Sequence, residues 1–352
     1  MTGLTLTIDT AAWRAHQRAV VEATPGIIPV AKGNGYGFGL ARLAAEAQAL
    51  GLDTLAVGLP HEVDAVRDQF DGDIVVLQPW RPFDALATEM ARDPRVVSTV
   101  SRLEDLDVLG NLGDDNRPRA ILEVLTSMRR HGLATVDLPA AEVAVALLEV
   151  EGWTIHLPLH TERTEAEARD LARRAVEAHR APVWLSHLPP EACAALGREL
   201  STPSEPVAVR LRVGTHLWLG ARAAYRTTAT VLDLHEVARG DRIGYHQHKA
   251  PGDGWLVVVA GGTAHGIGME APTSGSTMRA KAISVATGAM EAAGRALSPY
   301  TIDGRKRMFV EPPHMQSSMV FVPKDATPPE VGDDVPVEVR MTTAVFDEVV
   351  EA

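Results

Sequence analysis

Lys32 is the residue of this sequence with the plainest chemical potential. Only five of the 34 Lys and Arg residues are lysine, and no other lysine precedes His248. An arginine stays charged, whereas a lysine can lose its proton and attack a carbonyl as a primary amine. A general bias towards arginine would leave the same count, so the neighbours must decide. Lys32 closes the apolar run GIIPVAK and leads into Gly33-Asn34-Gly35-Tyr36-Gly37-Phe38-Gly39. The glycines there permit close backbone approach, and Tyr36 adds a hydroxyl for an anion. Alone, such a loop reads equally well as a turn. Behind a lysine that ends a buried strand, it suggests a Schiff-base amine beside a phosphate anchor, the demand of pyridoxal phosphate.

The elements that must position this pair are legible as alternating runs. Short apolar stretches occur at 26–32, 54–58, 73–78, 95–100, 119–125, 153–159, 182–188 and 207–213. Each is continuous and rich in Val, Ile and Leu, as in a parallel sheet buried on both faces. Amphipathic stretches such as ARLAAEAQAL and TEAEARDLARRAVEA lie between them at helical spacing. Eight such units predict a (β/α)8 TIM-type barrel over 10–220, with its active site at the carboxyl ends of the strands. After Gly220 the pattern turns β-rich, in RTTATVLDLHEV, WLVVVAGGTAHG, MVFVP and DDVPVEVRMTTAVF. One helical stretch, AISVATGAMEAAGRAL, interrupts it. A mainly β C-terminal domain is expected over 221–352, joined by an N-terminal strand within 1–9. The fold class is therefore α/β.

Composition removes several classes of partner. The formal charge is −12, which argues against nucleic acid or an anionic membrane. No apolar run reaches the eighteen or so residues of a membrane span, and the first residues lack a signal-peptide core. The single cysteine, Cys193, cannot form an internal disulfide or build a zinc site by itself. The histidines in Tyr245-His246-Gln247-His248 lack acidic partners at ligand spacing, so no metal site is expected. A soluble, cytoplasmic protein is the expectation.

The segment PVAKGNGYGFGLARLAAEAQALGLDTLAVGLPHEVDAVR resembles the alanine racemase family, whose motif is a lysine followed by Asn, a Gly-flanked Tyr and another Gly. The resemblance runs in the right order over nearly the whole chain. It implies a pyridoxal-phosphate barrel followed by a β domain, working as a head-to-tail homodimer with shared active sites. Lys32 would then carry the cofactor as a Schiff base, and Tyr36 would bind its phosphate. SMRRHGL resembles the family's Met-x-Arg-x-Gly and puts Arg130 on the substrate carboxylate. Glu123 stands where the family often has a carbamylated lysine, which implies a supporting role in positioning Arg130; an ordinary barrel ion pair is the competing reading. EGWTIHLPLH places His156 near the cofactor, with His160 as a competitor. WLSHLPP brings Ser186 and His187 to the place of a phosphate contact. RVGTHLWLG resembles Arg-Pro-Gly-Ile-x-Leu-Tyr-Gly, setting Arg212 opposite the pyridine nitrogen and Gly214 and Thr215 at the phosphate. DRIGYHQHK matches Tyr245 to the second base, and HMQSSMVFV makes the Met315 amide a carboxylate contact, with His314 and Gln316 replacing the usual Cys and Asp.

The family's Gly-Tyr-Ala-Asp-Gly, which narrows the entrance, reads here as Gly261-Gly262-Thr263-Ala264-His265-Gly266. The chain also stops at Ala352, before a family tyrosine lining the same corridor. Both departures imply a wider pocket and a free amino-acid substrate bulkier than alanine. The expected enzyme is a two-base amino-acid racemase, an isomerase with Lys32 and Tyr245 catalytic. The alternatives are a pyridoxal-phosphate aldolase or decarboxylase using His265, His246 or His248, and a non-catalytic cofactor-binding homologue.

Overall fold

A computed structural model describes residues 2–112, 117–142, 146–159, 162–269 and 296–352. The chain divides into two compact units, 14–220 and a second formed by 1–13 with 221–352. The sequence-based boundary at residue 10 differs from this, because the division falls inside the continuous helix α1 (Thr10–Ala23).

The first unit holds eight parallel strands: β2 (Ile28–Pro29), β3 (Thr54–Val57), β4 (Asp73–Pro79), β5 (Val96–Val100), β6 (Arg119–Val124), β7 (Glu149–Ile155), β8 (Val183–Ser186) and β9 (Val209–Val213). They pair in the order β2-β9-β8-β7-β6-β5-β4-β3, and the Val30–Ala56 bridge joins the two ends into a barrel. This is the expected (β/α)8 architecture. The expected strand 153–159 lies earlier, at β7, because it pairs Arg119–Val124 in register and Pro158 has no N–H for a ladder. His156 therefore follows the strand rather than sitting within it.

Alternation along the strands sorts the side chains into two layers. Ile28, Val30, Ala56, Val75, Val97, Ile121 and Trp184 fill the barrel interior. Leu122, Val124, Trp153, Ile155 and Leu185 point outward, against helical residues such as Ala168, Ala172 and Ala175. Counting by twos from the interior residues reaches Lys32 from Val30, Glu123 from Ile121 and Ser186 from Trp184. The same parity, opposite to outward Ile155 and Leu211, sets His156 and Arg212 on the inner side. One period-2 rule thus aims five polar side chains into the mouth.

In the second unit, β1 (Leu4–Ile8) pairs antiparallel with β10 (Tyr225–Val237) and parallel with β18 (Glu348–Glu351). The sheet continues through β13 (Gly254–Ala260), β16 (Ser317–Pro323), β15 (Arg305–Phe309) and β14 (Leu297–Ile302), with β17 (Asp334–Pro336) on β10. Of the expected strand DDVPVEVRMTTAVF, β17 and the following Val337, bridged to Tyr300, are paired. The expected helix AISVATGAMEAAGRAL lies outside the described residues except for its last two. The β14–β15 hairpin had a signal that was not used: Asp303-Gly304, both at positive φ (53° and 67°), form the two-residue turn that Asp-Gly favours. A small hairpin, β11 (Arg242–Ile243) with β12 (His248–Lys249), carries Tyr245 in its loop. Among the described residues, no helix is long and apolar enough to cross a membrane.

Candidate active site

Lys32 lies three residues past the end of β2 and is partly exposed. Loss of water around it pulls its pKa below the usual lysine range, Arg130 and Arg212 push the same way, and Glu62 opposes them. Glu62 is a residue the sequence reading missed. It is buried, and its carboxylate accepts the N–H of Gly33 at 2.7 Å, of Gly58 at 2.6 Å and of Leu59 at 3.1 Å. It therefore ties the loop after Lys32 to the end of β3.

The loop behind Lys32 turns sharply, with Gly33, Gly35, Gly37 and Gly39 at positive φ and Tyr36 itself at 55°. That turn buries the Tyr36 ring and brings its hydroxyl to Thr215. Burial pushes the phenol up to about 12, so it stays a neutral donor. Gly214 is required here, since a Cβ at that position would collide with the Tyr36 hydroxyl. Tyr36, Gly214 and Thr215 form a small polar cradle in which the Tyr36 hydroxyl takes the space of the missing Gly214 side chain.

Arg212 is deep in the same mouth. Burial brings its pKa down to about 10 against the support of Glu123. Its Nε and Nη2 are buried, and neither has a hydrogen-bond partner among the described residues. Glu123 is buried as well, and desolvation raises its pKa while Arg212, Arg130 and Arg81 hold it down, in that order. The expected Glu123–Arg130 pairing is thus shared: the carboxylate acts most on Arg212, and its Oε2 is unpartnered among the described residues.

Arg130 is exposed in a segment that folds back on β6, with Leu125 N–H donating to Leu133 O at 2.9 Å and Leu133 N–H to Glu123 O at 2.7 Å. His156 sits between Ser186 and His187. Its Nδ1 is 2.9 Å from Ser186 Oγ, and its ring centroid is 5.2 Å from that of His187. Burial, helped by Arg212, Arg130, His187 and Lys32, lowers its pKa to about 3. His156 is therefore neutral. The Ser186 hydroxyl also accepts the Leu157 N–H at 3.2 Å, so it faces His156. His160 lies outside the described residues.

The mouth thus gathers Lys32, Tyr36, Glu123, His156, Ser186, Arg212, Gly214 and Thr215 on one end of one barrel, with Arg130 at its rim. Tyr245 and Met315 belong to the other unit. There Tyr245 is exposed and its ring lies 4.7 Å from that of His314, the residue before Met315. The Met315 carbonyl accepts from Ala264 N–H at 3.0 Å. His265, offered above as an acid–base group, is buried and engaged: its Nδ1 accepts Gly262 N–H at 3.2 Å, and its Nε2 lies 3.1 Å from Asp347. That engagement removes it as a free proton donor. Among the described residues, no cluster of His, Cys, Asp and Glu could hold a metal.

Residues 8–196 match the family described as alanine racemase, N-terminal domain. The chain belongs to that family. An alanine racemase of Oceanobacillus iheyensis, "Alanine racemase 2", is 30% identical over 169 residues, which are 46% of this chain. The match covers 41% of that relative's own length. Among solved structures, the alanine racemase of Bartonella henselae with covalently bound pyridoxal phosphate superposes with a TM-score of 0.75 at 16% identity, covering 100% of both chains. That of D-cycloserine-producing Streptomyces lavendulae gives 0.68 at 20% identity, over 100% of this chain and 97% of the other. These likenesses establish the fold of both units together with the family of the first.

Proposed function

We propose that this protein is a pyridoxal-phosphate-dependent racemase of a free amino acid, working in the cytoplasm as a homodimer. The observation that carries the reading is Arg212, whose Nε and Nη2 are buried with no acceptor among the described residues. A buried guanidinium left in that state costs stability, so it is aimed at an acceptor that arrives with a ligand. The ring nitrogen of pyridoxal phosphate is such an acceptor. An arginine stays charged and keeps that nitrogen unprotonated, whereas a decarboxylase of this barrel class would place an acid there. The cradle of Tyr36, Gly214 and Thr215 fits the phosphate, with neutral hydroxyls and a backbone freed of its Cβ.

Bound there, the cofactor supplies an electron sink that acidifies the α-proton of an amino acid. Lys32, its pKa lowered by its surroundings, holds the cofactor and then takes or returns the α-proton on one face. Tyr245, supplied by the second copy of the chain, serves the other face. Arg130 and the Met315 N–H hold the carboxylate, Glu123 balances the charge of both arginines, and Ser186 fixes the neutral His156 beside the ring. A substrate larger than alanine is favoured, because the turn 262–266 exposes only the small Thr263 and Ala264 while its ring, His265, is folded inward. Borohydride reduction of the holoenzyme followed by peptide mapping should place the cofactor on Lys32. A panel of amino acids followed by chiral chromatography should then show inversion, fastest for a side chain beyond a methyl group. Label on another lysine, or alanine as the best substrate, would contradict the corresponding part.

A further inference from the structure

The loop that carries Tyr245 is held by a buried carboxylate. Glu311, with a side chain only 1% exposed, follows β15. Its Oε1 accepts the Tyr245 N–H at 3.2 Å, and its Oε2 accepts the His246 N–H at 3.3 Å. Gly244 makes this approach possible, because a Cβ there would collide with the same carboxylate. The third donor is His314, whose Nε2 lies 2.6 Å from Glu311 Oε1. Burial pushes Glu311 upward, yet these three hydrogen bonds bring its carboxyl below the usual range and keep it ionised.

His314 is fixed from its backbone as well. Its N–H donates to Ser317 O at 2.9 Å, and its carbonyl accepts Thr263 N–H at 2.8 Å. The imidazole then meets the Tyr245 ring at a 4.7 Å centroid distance and a 46° tilt. So one carboxylate orients both the main chain of Tyr245 and the ring on which its phenol rests. Around this cluster, the β11–β12 hairpin carries Tyr245, His246, His248 and Lys249, and the turn Thr263–His265 carries His265, already taken by Asp347. β16 carries no titratable side chain. Among the described residues, Glu311 is the only charged group hydrogen-bonded to the His314 ring.

We propose that His314, aimed by Glu311, is a positioning residue that seats the Tyr245 phenol and adjusts how readily it gives and takes the α-proton. This rests on the racemase reading above and extends it to a residue outside the barrel. The pair gives the second base a polar mount of its own, set by the same carboxylate that holds its main chain.

The test compares the holoenzyme with His314→Phe, which keeps a ring but loses the bond to Glu311, and with His314→Gln, which keeps a donor. Each substrate enantiomer is incubated in heavy water, and α-proton exchange and inversion are followed separately. For His314→Phe, inversion should fall about 10-fold. From the enantiomer deprotonated by Lys32, exchange without inversion should persist, because only the second proton transfer is slowed. The pH profile of inversion should shift, His314→Gln should recover part of the rate, and His314→Phe should add little to Tyr245→Phe. If exchange and inversion fall in equal proportion from both enantiomers, the role is merely structural and the proposal fails. An unaltered rate and pH profile also overturns it. In both of those cases the wild type still racemises, so the racemase reading survives; if the wild type exchanges no α-proton, the reading and this inference fall together.

Discussion

The buried charges of the two units are treated in opposite ways. In the β unit, buried Glu311 is bound by three donors, and the more exposed Asp347 by Leu4 N–H and His265. In the barrel mouth, buried Glu123 and half-buried Arg212 both carry buried side-chain atoms with no partner among the described residues. Nearly every buried polar group in a folded protein is paired; Gln17, Arg67 and, in the β unit, Arg307 also carry unpaired atoms among the described residues, but only in the mouth do a cation and a carboxylate with such atoms lie together at the strand ends. The satisfied network holds a loop; the unsatisfied one awaits a cofactor.

The largest effect should come from Lys32→Ala. Loss of both the carrier amine and a base should lower racemisation by at least about 10^4-fold, with no label retained after borohydride reduction. Circular dichroism should remain native. Residual turnover near the wild-type level would break the assignment of the mouth.

Arg212→Met sharpens the contrast, because rate and stability should part company. Racemisation should fall by about 10^2 to 10^3-fold, as for loss of an electrostatic contact to the reacting system. The apoprotein should melt no lower than wild type, since the change removes a desolvated charge whose donors are unpaired, and Glu123, already raised, can take up a proton. A clear drop in apoprotein Tm would mean that Arg212 is part of the fold's own network. Gly214→Ala should act next. Its Cβ must displace the Tyr36 hydroxyl, weakening cofactor binding and costing about 1 to 3 kcal/mol, measurable by cofactor titration and urea unfolding.

How much of this contrast was legible depends on what each residue's signal was. Lys32 stood out as a rare residue type closing an apolar run, and Arg212 through the resemblance of RVGTHLWLG to the family's motif. The barrel itself followed from continuous Val-, Ile- and Leu-rich runs, which survive tertiary packing well. Glu62 and Glu311 were invisible for a common reason: a buried carboxylate that binds backbone N–H groups has no partner type to search for in sequence. The β14–β15 hairpin had its Asp303-Gly304 signal, but the sequence reading assigned no element to 298–309. His265 shows the reverse failure. Its sequence position suggested chemistry, whereas its two nitrogen atoms are spent on Gly262 and Asp347.

The pH response separates the regions more gently. His156 is held neutral by a pKa of about 3 against an ordinary value of about 6.5 in the unfolded chain. Between those limits the unfolded state binds the extra proton, so apoprotein stability should fall as pH drops from about 6.5 towards 3. His156→Asn should flatten that slope. Asp347 and Glu311 have folded pKa values below the unfolded ones, so their contribution is present above the carboxylate range and lost only as pH falls through it. The smallest effect should be Asp347→Asn. It should lower stability by about 1 kcal/mol by chemical denaturation and leave racemisation unchanged.

The most direct test of the central claim is α-proton exchange in heavy water, with pyridoxal phosphate present, over a panel of L- and D-amino acids. The account predicts exchange accompanied by inversion for at least one side chain, and none in Lys32→Ala. Release of carbon dioxide or of a side-chain fragment instead, or no exchange from any amino acid, would contradict it.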